Sequence, residues 1–394
     1  MPKLSDKLAY FTDSVIRRMT RIANLHGAVN LSQGFPDFDP PEALKEALAT
    51  VAAGSIHQYA VTWGAPNFRE ALARKQTRFM GFEIDPETQV AVTCGSTEAM
   101  IATMLTICNP GDKVIVFSPF YENYTADTIL SGALPIYVHL NPPHYNFDIQ
   151  ELEAAFQQHP KALILCNPSN PSGKVYTLAE LEIIAGFAQK YDVFVITDEV
   201  YEHIVFEPNK HHYIASLPGM FERTISCSSL SKTYSITGWR LGYAIAPATI
   251  IDGIRKVHDF LTVGAAAPLQ EAAVTALNFG DGYYTDLQQS YRDKRDFFLN
   301  GLDQLGLKYT APQGAYYVMV DISEFGAPND VEFCEWMASE VGVAAVPGSS
   351  FFRDEVHHLV RFHFAKNKET LAQALKALAN LRSMAKDKVW NTQD

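Results

Sequence analysis

Residues 228–242 read SSLSKTYSITGWRLG and lie between two β-rich runs, 223–227 and 241–246. Hydroxyl side chains flank Lys232, and Arg240 follows eight residues later. A lysine amine becomes an effective covalent catalyst when it is held as an imine to a carbonyl cofactor. The Ser229 hydroxyl and the planar Arg240 guanidinium suit a phosphate group. The segment therefore predicts a site for a phosphate-bearing aldehyde, and the alternative is a solvent-exposed lysine in a Ser/Thr-rich loop.

Predicted strands and helices alternate between residues 89 and 228, the part of the chain that leads up to this segment. Residues 193–196 are apolar without alternation, as is typical of strands covered on both faces. Such a pattern predicts an α/β fold with a mostly parallel central sheet flanked by helices. The predicted strands are 90–93, 113–117, 134–140, 162–166, 193–197 and 225–228, and the predicted helices between them are 95–107, 121–130, 148–158 and 178–190.

The part of the chain after residue 247 is poorer in strands. It predicts helix over 248–306 with a break near 280–282, helices over 330–341 and 368–384, and strands over 315–320 and 359–364. We therefore expect a smaller α+β domain built from both termini, residues 1–44 and 286–394, beside a large domain over 45–285.

Composition excludes several classes of function. The 394 residues are 47% hydrophobic and 19% charged, which favours a large folded core over disorder. A net charge of −12 argues against nucleic acid as the main partner. Residues 1–30 are polar and charged, so neither a signal peptide nor a membrane span is predicted. No C-x-x-C pair occurs among the cysteines, which indicates reduced thiols of a cytoplasmic protein rather than disulfides or a metal site: Cys94, Cys108, Cys166, Cys227 and Cys334.

Polar residues follow several predicted strands directly, and ligands of open α/β sheets bind outside the carboxyl ends of strands. The run Gly95–Ser96–Thr97 opens a helix and offers an anion site, or simply an N-cap. Asn170 lies in a proline-bracketed loop and points to a ligand, or is a turn residue. Asp198 ends a buried strand, where a carboxylate needs a partner such as a protonated ring nitrogen or a structural cation. Tyr201 lies three residues further on and reaches the same ligand.

Two further residues join this predicted edge. Tyr121 follows the strand at 113–117 and is placed to lie flat on an aromatic cofactor, or to pack in the interior of a helix. Arg361 is in the middle of the strand Val360–Arg361–Phe362. If its neighbours lie in the core, Arg361 faces either solvent or a cleft that holds a substrate carboxylate.

Taken together, these motifs resemble the fold type I pyridoxal-phosphate aminotransferases of class I/II, over nearly the whole length. The most specific motifs are 167–173 (NPSNPSG), 197–201 (TDEVY) and 229–232 (SLSK) with Arg240. Within the family the chain is most similar to the methionine and kynurenine/glutamine aminotransferase branch, on the motifs 32–38 (SQGFPDF), 198–203 (DEVYEH) and 361–366 (RFHFAK).

The resemblance implies pyridoxal 5'-phosphate as cofactor and a role for each matching residue. Lys232 would form the internal aldimine and move the proton, and Asp198 would pair with the pyridinium nitrogen. Tyr201 and Asn170 would bond the ring oxygen, and Tyr121 would stack on the ring. Arg361, Asn170 and the backbone at Gly34 would hold the substrate carboxylate. The phosphate would be held by Gly95, Ser96, Thr97, Ser229 and Arg240. Tyr59 would reach the phosphate of a neighbouring subunit, which implies a homodimer with shared active sites.

The activity implied is transamination of methionine, glutamine or an aromatic amino acid with a 2-oxo acid, by a ping-pong mechanism. A β-lyase acting on cysteine S-conjugates is the alternative on the same fold. A non-catalytic regulator with an aminotransferase-like domain is the alternative from another class; the acidic chain and the short segment before Ser32 argue against it.

The substrate side-chain pocket is expected to be apolar and aromatic. Some relatives place a tryptophan there from near the N-terminus, but no tryptophan precedes Trp63 in this chain, and Tyr10 is expected to take that place with Phe35 and Tyr121. No second arginine occurs in a matched motif to receive a distal carboxylate. Relatives of the kynurenine branch often carry Phe and Lys at the positions of Tyr121 and Arg240, changes that keep the role of each position.

Overall fold

A computed structural model describes residues 2–10 and 14–390 of the chain. The helices are α1 (Val15–His26), α2 (Glu42–Ala52), α3 (Pro66–Met80), α4 (Ser96–Ile107), α5 (Glu122–Leu130), α6 (Ile149–Phe156), α7 (Leu178–Lys190), α8 (Ala248–Thr262), α9 (Ala267–Leu277), α10 (Asp281–Gln304), α11 (Asp330–Trp336), α12 (Lys368–Leu378) and α13 (Leu381–Asp387). The strands are β1 (Val29–Asn30), β2 (Val90–Thr93), β3 (Lys113–Ser118), β4 (Leu134–Asn141), β5 (Asn146–Phe147), β6 (Ala162–Cys166), β7 (Phe194–Asp198), β8 (Thr224–Ser229), β9 (Gly242–Ile245), β10 (Lys308–Thr310), β11 (Tyr317–Asp321), β12 (Val343–Ala344), β13 (Val346–Pro347) and β14 (Leu359–His363).

The central sheet has eight strands in the order β2-β9-β8-β7-β6-β3-β4-β5. The run from β8 to β4 is parallel, whereas β9 pairs antiparallel with both β8 and β2. Two antiparallel pairings in succession leave β2 pointing the same way as β8. The carboxyl ends of β2, β3, β6, β7 and β8 therefore meet at one edge of the sheet, as the sequence predicted.

Both faces of the central sheet are buried, which explains the continuous apolar runs. On β3, Val114 and Val116 pack with one hydrophobic cluster, and Ile115 and Phe117 pack with another on the opposite face. Because side chains alternate along a strand, only a strand covered on both sides is apolar at every position. The mostly parallel sheet flanked by helices is thereby confirmed.

Local signals set the helix ends near the site. The Ser14 side chain accepts a hydrogen bond from the Arg17 N–H at the start of α1, and Gly27, with φ 64°, ends that helix in the left-handed region. Thr177 and Glu180 form a reciprocal capping box at the start of α7. Each device satisfies backbone groups that a helix terminus leaves unpaired.

The terminal parts of the chain form a second core. A four-stranded sheet, β10-β11-β14-β13, is antiparallel, and β1 pairs in parallel with β12. Met19 and Ala23 of α1 pack in the same cluster as residues of α10 to α13. This cluster also includes Val200, Tyr201, Ile204 and Phe206, so the core of the terminal parts continues into residues that follow β7. The bounds 1–44, 45–285 and 286–394 stay a prediction, and α10 runs without interruption across position 285.

Some elements differ from expectation for identifiable reasons. The predicted helix over 248–306 breaks after α8 as well as before α10, because Pro268 in the first turn of α9 lacks the N–H that a continuous helix needs. The C-terminal helix is divided into α12 and α13, and the two-residue strand β5 was too short to recognise. Within the described ranges, no helix has both the length and the apolar character needed to cross a membrane.

Candidate active site

A cavity of about 680 Å³ opens at the carboxyl edge of the central sheet, within the size range of small-molecule sites. Its walls come from the ends of β2, β3, β6, β7 and β8, together with β14, α1 and the loop before α2. The sequence-predicted residues that line it are Gly34, Ser96, Thr97, Tyr121, Asn170, Asp198, Tyr201, Ser229, Lys232, Arg240 and Arg361. Segments far apart in the chain are thus brought to one site.

Lys232 projects into this cavity from the loop after β8. Its Nζ donates a hydrogen bond of 3.3 Å to the carbonyl oxygen of Gly34. Burial, opposed by the charge of Asp198 and assisted by those of Arg240 and Arg361, lowers the pKa of Lys232 to about 8. A substantial fraction of the amine is therefore neutral and nucleophilic near physiological pH.

Asp198 ends β7 and is buried beneath the cavity. The Tyr124 hydroxyl donates to Asp198 Oδ2 at 2.7 Å, and the Val200 N–H donates to Oδ1 at 3.4 Å. Burial raises the pKa of Asp198, and these two donors and the charge of Lys232 act against that rise. A buried carboxyl of this kind is suited to a cationic partner in the cavity.

Every residue of β14 is buried. The Arg361 side chain therefore faces the cavity and not solvent. Its Nη1 donates to Asn170 Oδ1 at 2.5 Å and its Nη2 to the carbonyl oxygen of Ser32 at 2.9 Å. The guanidinium also lies over the rings of Tyr317 and Phe351, at 4.2 and 4.5 Å from their centroids. These contacts hold a planar cation rigidly, which is what bidentate binding of a carboxylate requires.

An anion cradle lies at the N-terminus of α4. Ser96 and Thr97 open that helix, and a Cβ placed on Gly95 would come within 2.2 Å of Arg240 Nη2. Only glycine therefore lets the guanidinium approach the helix start so closely. Helix N–H groups, hydroxyls and a guanidinium form a set of donors that fits a phosphate.

The aromatic residues complete the site. The hydroxyl groups of Tyr201 and Tyr317 are 2.8 Å apart, and burial raises the pKa of Tyr201 well above its ordinary value. Tyr121 lies at the cap of α5 and lines the cavity, with its ring edge-on to Tyr124. The phenols of Tyr201 and Tyr121 are thus present as neutral groups that can donate a hydrogen bond.

Tyr59 is the one predicted cofactor-binding residue that lies away from this cavity. Its side chain is 88% exposed and lines a separate depression with residues of the α2–α3 loop and α9. Within a single chain Tyr59 does not reach the phosphate cradle, so its predicted role toward a neighbouring subunit stays a prediction.

Several lining residues were not anticipated. Tyr124 lies one helical turn after Tyr121, a spacing that would have placed both on one face of α5. Tyr317 lies two residues before the β11 residue that pairs with Arg361. Only the register between β11 and β14 reveals that Tyr317 and Arg361 are neighbours. Glu98 accepts hydrogen bonds from the Thr262 hydroxyl at 2.7 Å and lies 2.6 Å from His258 Nδ1, so that it links the cradle to α8.

The expected side-chain pocket requires a correction. Tyr10 is 70% exposed and does not line the cavity, whereas Ile16 and Arg17 of α1 do. The first turn of α1, and not the segment before it, reaches the cavity. Polar lining residues also accompany Phe35 and Tyr121, namely Arg17, Gln33 and Glu122. The pocket is therefore less apolar than the motifs indicated.

Comparisons with known proteins agree with this geometry. A family model described as "Aminotransferase class I and II" matches residues 27–378. The chain is 40% identical to the methionine aminotransferase of Escherichia coli (strain K12), over 95% of this chain and 97% of that protein. It is 36% identical to human kynurenine–oxoglutarate transaminase 1, over 89% and 92% of the two chains. The solved N-succinyldiaminopimelate aminotransferase of Mycobacterium tuberculosis superposes with a TM-score of 0.93 at 37% identity, covering 96% of this chain and all 100% of that one.

Proposed function

Because this chain belongs to the class I and II aminotransferases, we propose that it transfers the α-amino group of methionine, glutamine or an aromatic amino acid to a 2-oxo acid. The chain is a pyridoxal-phosphate-dependent enzyme, as members of this family are. The observation that carries the proposal is the presence of the Lys232 amine, the Asp198 carboxyl and the Arg361 guanidinium in one cavity. The names of the Escherichia coli and human relatives support methionine and an aromatic amino acid, kynurenine, among these donors.

The residues present fit pyridoxal phosphate. The cradle of Gly95, Ser96, Ser229 and Arg240 suits its phosphate, and the gap that a Cβ on Gly95 would fill is occupied by the Arg240 guanidinium. The buried Asp198 carboxyl suits a protonated ring nitrogen, since few other partners would satisfy an acid in that position. The donor set thus matches the phosphate, the ring nitrogen and the carbonyl group of one molecule.

Pyridoxal phosphate, when bound, supplies a carbonyl carbon that combines with amines and a protonated ring that takes up negative charge. Lys232 Nζ would hold the carbonyl carbon of the cofactor, and its amine would move the proton at the substrate Cα. Asp198 would keep the ring nitrogen protonated, and Tyr201 with Asn170 would bind the ring oxygen. Tyr121 would cover the ring face.

Arg361 binds the α-carboxylate of the substrate, with Asn170 and the backbone at Gly34 beside it. The existing contacts of Arg361 Nη1 and Nη2 fix the guanidinium before substrate arrives, so little side-chain entropy remains to be lost on binding. Phe35, Tyr121 and Ile16 form the apolar part of the side-chain pocket. The same cavity takes the amino acid and then the 2-oxo acid in turn, as a ping-pong mechanism requires.

We further propose a cytoplasmic homodimer in which Tyr59 serves the phosphate of the partner subunit. An exposed apolar surface supports this assembly. Tyr59 and Val61 lie just before Thr62, whose carbonyl oxygen is 2.9 Å from His258 Nε2, and Phe260 and Val263 lie just beyond that histidine. The five cysteines all lie in described positions and are free, which supports a reducing compartment.

A panel of amino donors tested against one fixed 2-oxo acid decides the proposal. Methionine, glutamine and phenylalanine should each yield the corresponding 2-oxo acid and a new amino acid. Release of pyruvate and ammonia from a cysteine S-conjugate, without a new amino acid, would identify the β-lyase alternative instead. Absence of any product with the whole panel would contradict the proposed function.

A further inference from the structure

A buried carboxylate stands beside the anion cradle. Glu98 lies in the first turn of α4, two residues after Ser96, and lines the active-site cavity. Its Oε2 accepts a hydrogen bond of 2.5 Å from the backbone N–H of Cys94, the residue before Gly95. Glu98 therefore holds the turn that carries the cradle. It also brings a negative charge to a site for an anion, where like charges repel.

His258 of α8 supplies the opposite charge. Its Nδ1 lies 2.6 Å from Glu98 Oε1, and its Nε2 lies 2.9 Å from the carbonyl oxygen of Thr62. A carbonyl oxygen can only accept a hydrogen bond, and so can an ionised carboxylate. Both ring nitrogens of His258 therefore donate, which makes the side chain an imidazolium, and none of it is exposed to solvent.

The pKa values of both groups lie in the directions that this ion pair requires. Burial raises the pKa of Glu98, but hydrogen bonds from His258 and from the Cys94 N–H outweigh it, so that the pKa lies below its ordinary value. Burial lowers the pKa of His258, but the hydrogen bond and the charge of Glu98 outweigh it, so that the pKa lies above its ordinary value. The N-terminus of α4 favours the ionised Glu98 in addition.

The surroundings keep this pair in place. The Thr262 hydroxyl also donates to Glu98 Oε1, at 2.7 Å. On the far side of His258, Thr62 is followed by Trp63, whose carbonyl oxygen accepts a 3.0 Å hydrogen bond from the N–H of Val92 in β2. Among residues 2–10 and 14–390, His258 is the only basic side chain within ion-pair distance of Glu98. The cations of the cavity are thus left to its ligands.

We propose that Glu98 and His258 are a positioning pair for the cofactor phosphate: Glu98 fixes the turn at Cys94, and the His258 imidazolium compensates the Glu98 charge so that a dianionic phosphate can bind in the cradle. The inference rests on the proposed function for the presence of that phosphate. Without the imidazolium, the carboxylate would repel the phosphate and favour its singly charged form.

Rescue by a second substitution in the holoenzyme tests this role. His258→Gln leaves the Glu98 charge uncompensated and should weaken retention of pyridoxal phosphate in equilibrium dialysis about tenfold or more. Glu98→Gln/His258→Gln removes that charge and keeps an amide oxygen for the Cys94 N–H, so retention should return to within about threefold of wild type. His144→Gln, at an exposed histidine between β4 and β5, is the control and should change nothing. A double variant as weak as His258→Gln would overturn the inference.

Phosphorus NMR of the same holoenzymes, at saturating cofactor, gives a readout that a purely structural role would not move. At about pH 6, near the ordinary second pKa of a phosphate monoester, the signal of His258→Gln should shift toward the singly charged phosphate. The signal of the double variant should return to the wild-type position. An unchanged signal in His258→Gln would overturn the inference.

Two further outcomes are informative. If His258→Gln does not fold, Glu98→Gln alone decides: retention within about threefold of wild type supports the role, whereas a loss of about tenfold or more shows that the carboxylate charge is required and overturns it. Dialysis and NMR need no turnover. A holoenzyme that is inactive with every amino donor would therefore contradict the proposed function while these measurements still decide the role of the pair.

Discussion

The Tyr124 hydroxyl donates a 2.7 Å hydrogen bond to Asp198 Oδ2, and so joins α5 to the end of β7 beneath the active-site cavity. Both groups are buried. The bond favours the ionised carboxylate, against the effect of burial on the pKa of Asp198. One helix thereby supplies Tyr121 to the cavity wall and Tyr124 to the acid below it, which couples the position of α5 to the charge of the site.

Substitutions at this pair should have graded effects. Asp198→Asn removes the negative charge that keeps the cofactor ring nitrogen protonated, so the half-reaction with methionine should slow by several orders of magnitude. Tyr124→Phe removes one donor and should slow it by about tenfold. Stopped-flow spectra of both variants give the rates, with circular dichroism as the control for folding. A near-normal rate in Asp198→Asn would show that another acid serves the ring.

Asp127 should make stability depend on pH. It is a buried carboxyl one turn after Tyr124, its Oδ2 has no hydrogen-bond partner among the described residues, and burial followed by the charge of Asp198 raises its pKa to about 8. The folded protein therefore holds a proton that the unfolded chain releases near pH 4. Because the folded state binds more protons between these values, stability falls as pH rises from about 4 to about 8, with a slope of up to about 1.4 kcal/mol per pH unit from this group.

Urea denaturation of wild type and Asp127→Asn at pH 5, 7 and 9 measures this contribution. The variant cannot ionise, so its advantage over the wild type should grow from pH 5 to pH 8 and stay constant above. Asp112→Asn changes an aspartate in the loop before β3 and serves as the control. A difference between variant and wild type that does not change with pH would contradict the expected titration.

Lys232 should be the residue that binds the cofactor covalently. Borohydride should abolish the visible absorbance of the purified protein, and peptide mapping should find the reduced adduct on Lys232. Lys232→Ala should retain cofactor through the phosphate cradle but show negligible turnover, because nucleophile and proton carrier are both lost. An adduct on any other lysine would refute the assignment.

How far the sequence could predict this structure depended on how local each signal was. Strand ends followed by polar residues placed Asp198, Asn170 and Lys232 correctly, because the carboxyl ends of parallel strands meet at one edge. Tyr317 and Arg17 could not be predicted, since the first depends on the register between β11 and β14 and the second on how α1 packs against distant strands. Tyr10 was wrongly expected in the pocket, because it lies before α1 and the first turn of that helix is the part that reaches the cavity.

Arg361→Lys should remove most of the affinity for the transition state. Lysine cannot reproduce the two parallel hydrogen bonds of a guanidinium, so the loss in kcat/KM should correspond to ~2–5 kcal/mol. The variant also leaves Asn170 Oδ1 and the Ser32 carbonyl oxygen without their donors. The loss should be confined to substrates with an α-carboxylate: reaction with the corresponding amine, which lacks that group, should change little. Equal losses for both compounds would indicate a general disturbance of the site.

Assembly should be required for activity. Phe260 is 91% exposed and Tyr59 88% exposed, and the contact of Thr62 with His258 places their segments side by side. A solvent-exposed aromatic surface of this kind is costly in a monomer and typical of an interface. Sedimentation should therefore give a dimer.

Two variants separate assembly from cofactor binding. Phe260→Asp should shift the protein toward monomer and reduce activity, and Tyr59→Phe should weaken cofactor retention while the dimer persists. Leu25, which is exposed on α1, offers the control Leu25→Asp and should leave the dimer intact. Full activity in a preparation that sediments as a monomer would rule out a shared active site.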